Sequence, residues 1–282
     1  MAETLLTIIG ISVILAIPAG SLLLGLQEEK PYLKKLYQNK SMLIRNILTM
    51  FIIAPFVAYL FYLLLPEYQF IWVALIVISI CPVQPGLIKK ITKLSGDDKL
   101  SIAWMITALF LSLIFLPLNL FIMQKVFHVD IVFGMDDVIL KYLMLFIIPM
   151  LVGFMLSSYL KSHVPKIIKI VSLISKIAML ILVICLMILA VPIIISKGIT
   201  PVIMISLYLV VILLTAHLIG LPDKRYGAIL PYSVILRLPA APIALAKLNG
   251  TMDKHLSTII TYLILGVLLM MIYDKVFYRK VK

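Results

Sequence analysis

Long apolar stretches separated by short polar connections run from one end of the chain to the other. Charged residues collect in the connections and are scarce within the stretches. About 20 apolar residues are enough to cross a bilayer as a helix. The pattern therefore predicts an all-α polytopic membrane protein with nine transmembrane helices, over 4–26, 42–65, 69–94, 100–123, 137–159, 167–191, 200–220, 226–248 and 255–275.

Two of these stretches, 69–94 and 226–248, are interrupted by proline pairs. The first contains Cys81-Pro82-Val83-Gln84-Pro85-Gly86 and the second contains Arg237-Leu238-Pro239-Ala240-Ala241-Pro242. A proline inside a helix removes a backbone hydrogen bond and clashes with the preceding turn, so each pair should open its helix. In lipid, an open backbone is tolerated only where protein or a water-filled cavity covers it. A matched pair of interrupted segments indicates the central site of a secondary transporter.

The positions of the two motifs also indicate an inverted repeat. Pro239 lies 157 residues after Pro82, and a shift of 157 overlays the first four stretches on the last four and leaves the fifth unmatched. Evenly spaced stretches overlay at some shift by chance, but here both proline motifs coincide at the same shift. We therefore expect one membrane domain over 1–282, with a four-span repeat over 1–123 and an oppositely oriented five-span half over 137–282.

Composition and charge agree with this class. Hydrophobic residues make up 63% of the chain and charged residues 13%, with a mean hydropathy of +1.19, whereas soluble domains are about a quarter charged. The net charge of +13 comes from Lys and Arg in short loops, which set topology and do not call for nucleic acid. Of the 25 such residues, 18 fall on one side, five on the other, and Lys176 and Arg237 within spans. The positive-inside rule places the N-terminus outside and the C-terminus in the cytoplasm. We expect the membrane to be a bacterial-type plasma membrane.

No pattern of an enzyme or a metal site is present. The chain has no His-Glu-x-x-His, Gly-x-Ser-x-Gly or Walker sequence and no Cys/His cluster. Cys81 and Cys185 lie in different spans, so we expect no disulfide, no metal and no cofactor. The expected partners are the lipid bilayer and a small solute, and the sequence carries no signal for an oligomeric state.

Arg237 is the sharpest candidate for a functional residue. A cation at mid-bilayer costs at least about 2.5 kcal/mol, so its side chain should face a cavity or a partner. No Asp or Glu lies deep in any predicted span. Three interpretations stay open: Arg237 binds an anionic solute, it acts as a fixed charge in place of an ion, or it caps carbonyl groups freed by Pro239 and Pro242.

Other residues of the two interrupted stretches are candidates for the same site. The Gln84 amide both donates and accepts hydrogen bonds, which suits either a solute or the backbone at its own helix break. Tyr232 and Ser233 line the opposite wall or serve as core packing. The exposed backbone around Pro82, Pro85, Pro239 and Pro242 completes this predicted site.

Three further residues are candidates for an entrance or for ion coupling. Lys89 attracts anions to a cytoplasmic entrance or anchors the helix end. Lys176 reaches the cavity or extends its amine to the cytoplasmic surface. His217 titrates near neutral pH and would couple protons, unless it only marks a helix end.

These motifs resemble the bile acid:sodium symporter family, within the wider superfamily of bile acid, arsenite and riboflavin transporters. The stretch 79–86, continuing through Gly96-Asp97 to Leu100-Ser101, is similar to that family's first crossing helix and the turn after it. The stretch 220–247 is similar to its second crossing helix. The resemblance runs from Ile14 onward and lacks the family's first helix. It implies a panel domain, a core domain in which the two broken helices cross, and alternating access.

The resemblance also implies sodium sites, and this chain departs from the family at most of their positions. Hard cations such as Na⁺ need oxygen ligands, and the side chains at these positions offer almost none. Ser101 is the position that keeps the family's own hydroxyl, and Arg237 would repel the ion. We therefore expect no sodium coupling through the family's sites. The departing positions are Met50, Leu87, Ile88, Met105, Tyr232, Leu236 and Arg237.

The sequence thus predicts a secondary transporter of a small organic solute and favours an anionic one. The solute site would be formed where the two broken helices cross, by Gln84, Arg237 and the opened backbone. The alternative is a non-transporting membrane sensor or assembly partner that kept the fold and lost the ion sites. An enzyme is not expected.

Overall fold

The protein is described by a computed structural model that covers residues 2–27, 30–83, 98–126, 135–221, 229–238, 242–243 and 252–277. All the regular elements in this part of the chain are helical. Two π-helical turns, Leu48–Ile53 and Leu143–Ile147, join α3 to α4 and α7 to α8. The helices are α1 Ala2–Gln27, α2 Lys30–Gln38, α3 Lys40–Ile47, α4 Ala54–Leu64, α5 Gln69–Ile80, α6 Asp98–Val126, α7 Met135–Tyr142, α8 Ile148–Tyr159, α9 Val164–Lys197, α10 Thr200–Gly220, α11 Ile229–Ile235 and α12 Met252–Phe277.

Seven helical stretches in the described part are long and apolar enough to cross a membrane. They confirm the prediction of an all-helical membrane protein, and the predicted spans 42–65 and 200–220 match their boundaries within two residues. Nine spans and an inverted repeat remain predictions, because the two interrupted stretches are described only in part. The seven are Thr7–Gln27, Lys40–Leu64, Lys99–Lys125, Ile139–Tyr159, Val164–Ile188, Thr200–Gly220 and His255–Phe277.

The first part of each interrupted stretch is a helix that ends at its proline motif. Helix α5 stops at Ile80, and Cys81 is extended with φ −65° and ψ 150°. Helix α11 is seven residues long and stops at Ile235. Most of the chain between these motifs and the next helices lies outside the described residues.

Both π-helical turns lie just ahead of a proline. Pro55 and Pro149 are the second residues of α4 and α8. In the first turn, the Ala54 N–H donates to the Thr49 carbonyl five residues back. A π-type turn widens the ladder by one residue, and such turns are frequent at functional sites.

Helices α8 and α9 both pack on α1, and we call these three helices the α1–α8–α9 layer. Helix α1 crosses α8 where Gly25 and Gly153 meet. A Cβ at Gly25 would overlap the Met150 carbonyl oxygen, and one at Gly153 would overlap the Leu22 carbonyl oxygen. Small residues at a helix crossing let backbones approach closely in membranes.

The remaining helices surround α5 and α11. Helices α4, α6 and α12 pack on α5, while α10 and α12 pack on α11. Spans α6 and α12 are the most buried of the seven. Short helix α2 also packs on α6, with Leu36 fully buried; the sequence indicates only a basic loop there, because lysines dominate it.

Candidate functional site

The two interrupted helices meet through their opened backbones. The Leu238 N–H donates to the Pro82 carbonyl at 3.0 Å. Val83 and Arg237 form an antiparallel β-bridge beside this bond. Backbone groups that would be unpaired in lipid are thus paired across the contact, as a bilayer requires. We call Met50, Cys81–Val83 and Val234–Leu238 the crossing region.

Arg237 lies at the centre of the crossing region with 1% of its surface exposed. Its guanidinium donates from three nitrogens to three backbone carbonyls. Nε contacts Val234 O at 3.1 Å, Nη1 contacts Cys81 O at 3.0 Å, and Nη2 contacts Met50 O at 3.2 Å. Within the described part of the chain, every partner seen for this cation is a carbonyl oxygen.

Each of the three carbonyls is available for an identifiable reason. Met50 O would pair with residue 55 in a π-helical ladder, and Pro55 has no N–H. Cys81 O is followed four residues later by Pro85, which likewise has none. Val234 O is left open because the N–H of Leu238 donates to Pro82 instead. Arg237 therefore caps backbone carbonyls. These carbonyls are not the ones that Pro239 and Pro242 were expected to leave unpaired.

The end of α11 is also held from α12. The Tyr262 hydroxyl donates to Ile235 O at 2.8 Å and lies 3.4 Å from Val234 O. Gly266, one turn further along α12, lies against Ile235, where a Cβ would touch the isoleucine side chain at 3.4 Å. The last turn of α11 is thus fixed by a hydroxyl on one side and by the guanidinium on the other.

Tyr232 and Ser233, predicted to line the site, are fully buried and bonded within the protein. The Tyr232 hydroxyl donates to the Asp274 carboxylate of α12. The Ser233 hydroxyl accepts from the Trp104 indole at 2.9 Å and donates to Ile229 O at 2.6 Å. These contacts tie α11 to α6 and α12.

Two of the three entrance and coupling candidates, Lys176 and His217, are among the described residues. Lys176 is exposed on α9. His217 is half-buried near the end of α10, with Nδ1 2.7 Å from the Tyr273 hydroxyl and its ring against Phe277. Tyr273 neighbours Asp274, the partner of Tyr232, in sequence.

The structure describes only part of the predicted proline site. Pro82 and Pro242 are buried. Gln84, Pro85, Lys89 and Pro239 lie outside the described residues. Among the described residues, no three His, Cys, Asp or Glu side chains are grouped so as to hold a metal ion.

Three buried side-chain polar atoms that the sequence did not single out have no hydrogen-bond partner in the described structure. They are the Asn46 amide nitrogen, the Ser21 hydroxyl oxygen and Gln27 Oε1. Asn46 lies four residues before Met50, so both side chains face the same side of their span. In the sequence, Asn46 could have been recognised as an isolated amide within an apolar span. An unpartnered buried amide is costly and calls for an explanation.

Helix ends whose open backbones pair inside an apolar helical protein are a feature of many membrane transporters built on discontinuous helices. A family model described as Sodium Bile acid symporter family matches residues 6–197, about two thirds of the chain. The chain therefore belongs to the sodium bile acid symporter family. A search of curated proteins found no significant match. The matched segment ends with α9, so Arg237 and Tyr262 lie beyond it.

Proposed function

We propose that the protein is a secondary transporter that carries a small organic anion by alternating access at the crossing region. The observation that supports this most is the pairing of two interrupted helices around one buried cation. In secondary transporters, substrate sites lie where discontinuous helices meet near the bilayer midplane. Family membership supports transport as the activity.

Charge supports an anionic solute. Arg237 places one fixed positive charge in the crossing region, and its partners there are neutral carbonyls. The described halves of the interrupted helices present their C-terminal ends, which carry partial negative charge, to this guanidinium. We expect helix N-termini after the prolines, near Gln84 in the first stretch. These N-termini would offer partial positive charge to the solute.

The ligand chemistry of the described residues supports transport without sodium at the family's sites. The buried side chains of Met50 and Met105 carry thioethers, and Leu236 is aliphatic. Soft and apolar groups do not replace the oxygens that Na⁺ needs. We therefore propose exchange, uniport or proton linkage, with His217 as the candidate for the last.

Packing supports a division into two moving parts. The α1–α8–α9 layer is joined by the close approach of Gly25 and Gly153, and the crossing region belongs to the other group of helices. We propose that the layer corresponds to the panel and the other group to the core of an inverted repeat. The N-terminus would lie outside and the C-terminus in the cytoplasm, since 18 of 25 Lys and Arg residues then face inward.

The proposal is tested by thermal unfolding of the purified protein with a panel of small carboxylates, sulfonates and phosphates. A ligand at 100 times its Kd stabilises a protein by about 2.7 kcal/mol. We expect one class of anion to raise the melting temperature in sodium-free buffer, and Arg237→Met to abolish the rise. No shift with any anion would contradict the proposal and favour a non-transporting sensor.

A further inference from the structure

We propose that Arg237 is a tethered cation, whose guanidinium does at the crossing region what a bound coupling ion does in an ion-driven carrier. The idea rests on the proposed function only where it speaks of a transport cycle. The carbonyl geometry that carries it stands independently of any solute.

The three acceptors come from three separate elements. Cys81 O ends α5, Val234 O belongs to the last turn of α11, and Met50 O belongs to the π-helical turn before α4. Carbonyls of opened segments and of helix C-terminal ends are the groups that coordinate cations in transporters with broken helices. Here the three carbonyls converge on the Arg237 side chain. Its charged guanidinium donates a hydrogen bond to each of them and so connects the three elements.

The spacing of the acceptors fits a guanidinium and not a small ion. Each oxygen lies 3.0–3.2 Å from a different nitrogen of one planar group. A bare hard cation draws its oxygen ligands around a single point, whereas these oxygens are arranged around three separate nitrogens. A planar fork with donors at fixed angles matches this arrangement.

A tethered cation has a functional consequence. A coupling ion binds and leaves during each cycle, and its gradient drives the solute. The guanidinium is covalently attached, so the crossing region keeps its positive charge in every state. The cycle then needs no external cation at this place, and the charge stays available to an anionic solute throughout.

The competing explanation is that Arg237 only fills space between the helices. In that case another side chain of similar size would serve, and a free cation would not substitute for the one removed. The two explanations therefore differ in their response to added cations.

The experiment measures the melting temperature of Arg237→Ala in choline chloride, with sodium, tetramethylammonium or methylguanidinium added at millimolar concentration. We expect methylguanidinium alone to raise it by several degrees, with saturation. Arg45→Ala is the matched control: Arg45 also donates to carbonyls, Ser41 O at 3.2 Å and Ile219 O at 3.1 Å, but is only half-buried. The control and the unchanged protein should show no rise. Equal responses of Arg237→Ala and the unchanged protein to every cation would overturn the proposal.

Two further measurements decide the question if Arg237→Ala does not fold. The unchanged protein should melt at the same temperature in sodium, potassium and choline chloride at equal ionic strength, and a saturable rise with sodium would overturn the proposal. Arg237→Met, of similar length, should be clearly less stable than the unchanged protein, and equal stability would also overturn it. These readouts use no solute, so a failed anion search leaves them intact.

Discussion

The α1–α8–α9 layer and the crossing region both bring backbones into direct contact, but by different means. In the layer, Gly25 and Gly153 let two intact helices touch. In the crossing region, two helices have opened and exchange backbone hydrogen bonds, with Arg237 and Tyr262 supplying further donors. An intact helix has no spare backbone groups and needs only room, whereas an opened helix needs donors. The layer should therefore be sensitive to volume, and the crossing region to the loss of hydrogen bonds.

The largest loss of stability is expected where the α1–α8–α9 layer has no space for a side chain. Gly25→Val would force α1 away from α8, because its side chain would occupy the position of the Met150 carbonyl. We expect a loss of about 3 kcal/mol, or failure to purify as a monodisperse protein. Gly10→Ala, where an added Cβ meets nothing within 4 Å, is the matched control on the same helix and should keep the melting temperature. If Gly25→Val is as stable as the control, the close approach is not present.

A smaller effect is expected from a buried donor next to the crossing region. Ser233→Ala leaves the Trp104 indole N–H without its acceptor, which costs about 1–3 kcal/mol. In a Trp104→Phe background the same substitution should cost clearly less, because no donor is left unpaired. Thermal unfolding of the two single variants and the double variant measures this difference. Additive losses would mean that the hydrogen bond contributes nothing.

Tyr262→Phe should lower stability by about 1 kcal/mol. The hydroxyl it removes donates to Ile235 O, which keeps the backbone N–H of Arg237 as a second donor at 3.2 Å. The remaining bond limits the loss, and the ring packing is unchanged. A drop as large as that of Gly25→Val would show that the hydroxyl, and not the guanidinium, holds the end of α11.

The smallest expected change in stability is an increase and not a loss. Asn46→Leu replaces a buried amide nitrogen that has no partner in the described structure with an apolar group of similar size. Such replacements are nearly neutral or stabilising. We expect an equal or slightly higher melting temperature. A melting temperature several degrees lower would indicate that Asn46 is paired.

Much of the architecture was predictable, because hydropathy alone determines where a chain can cross a bilayer. The predicted span 200–220 has the same bounds as helix α10, Thr200–Gly220. The π-helical turns were missed, since hydropathy carries no sign of a ladder that widens by one residue. Pro55 and Pro149 were the available signals. Helix α2 was missed because its many lysines are typical of a loop.

The candidate site was predictable only in its side chains. Arg237 stood out as a cation in an apolar stretch, and the proline pairs located the helix ends. Its acceptors did not stand out, because a backbone carbonyl has no signature in the sequence. Met50 O has no backbone partner because Pro55 lacks an N–H. Val234 O has none because the Leu238 N–H donates to Pro82, which lies more than 150 residues away in the sequence.

The most direct test of the tethered charge is solute flux in proteoliposomes, measured without sodium for the unchanged protein and for Arg237→Met. We predict uptake of a labelled small organic anion in choline buffer, and its loss in the variant. Uptake that strictly requires sodium, or that proceeds equally in the variant, would contradict the central role of Arg237 at the crossing region.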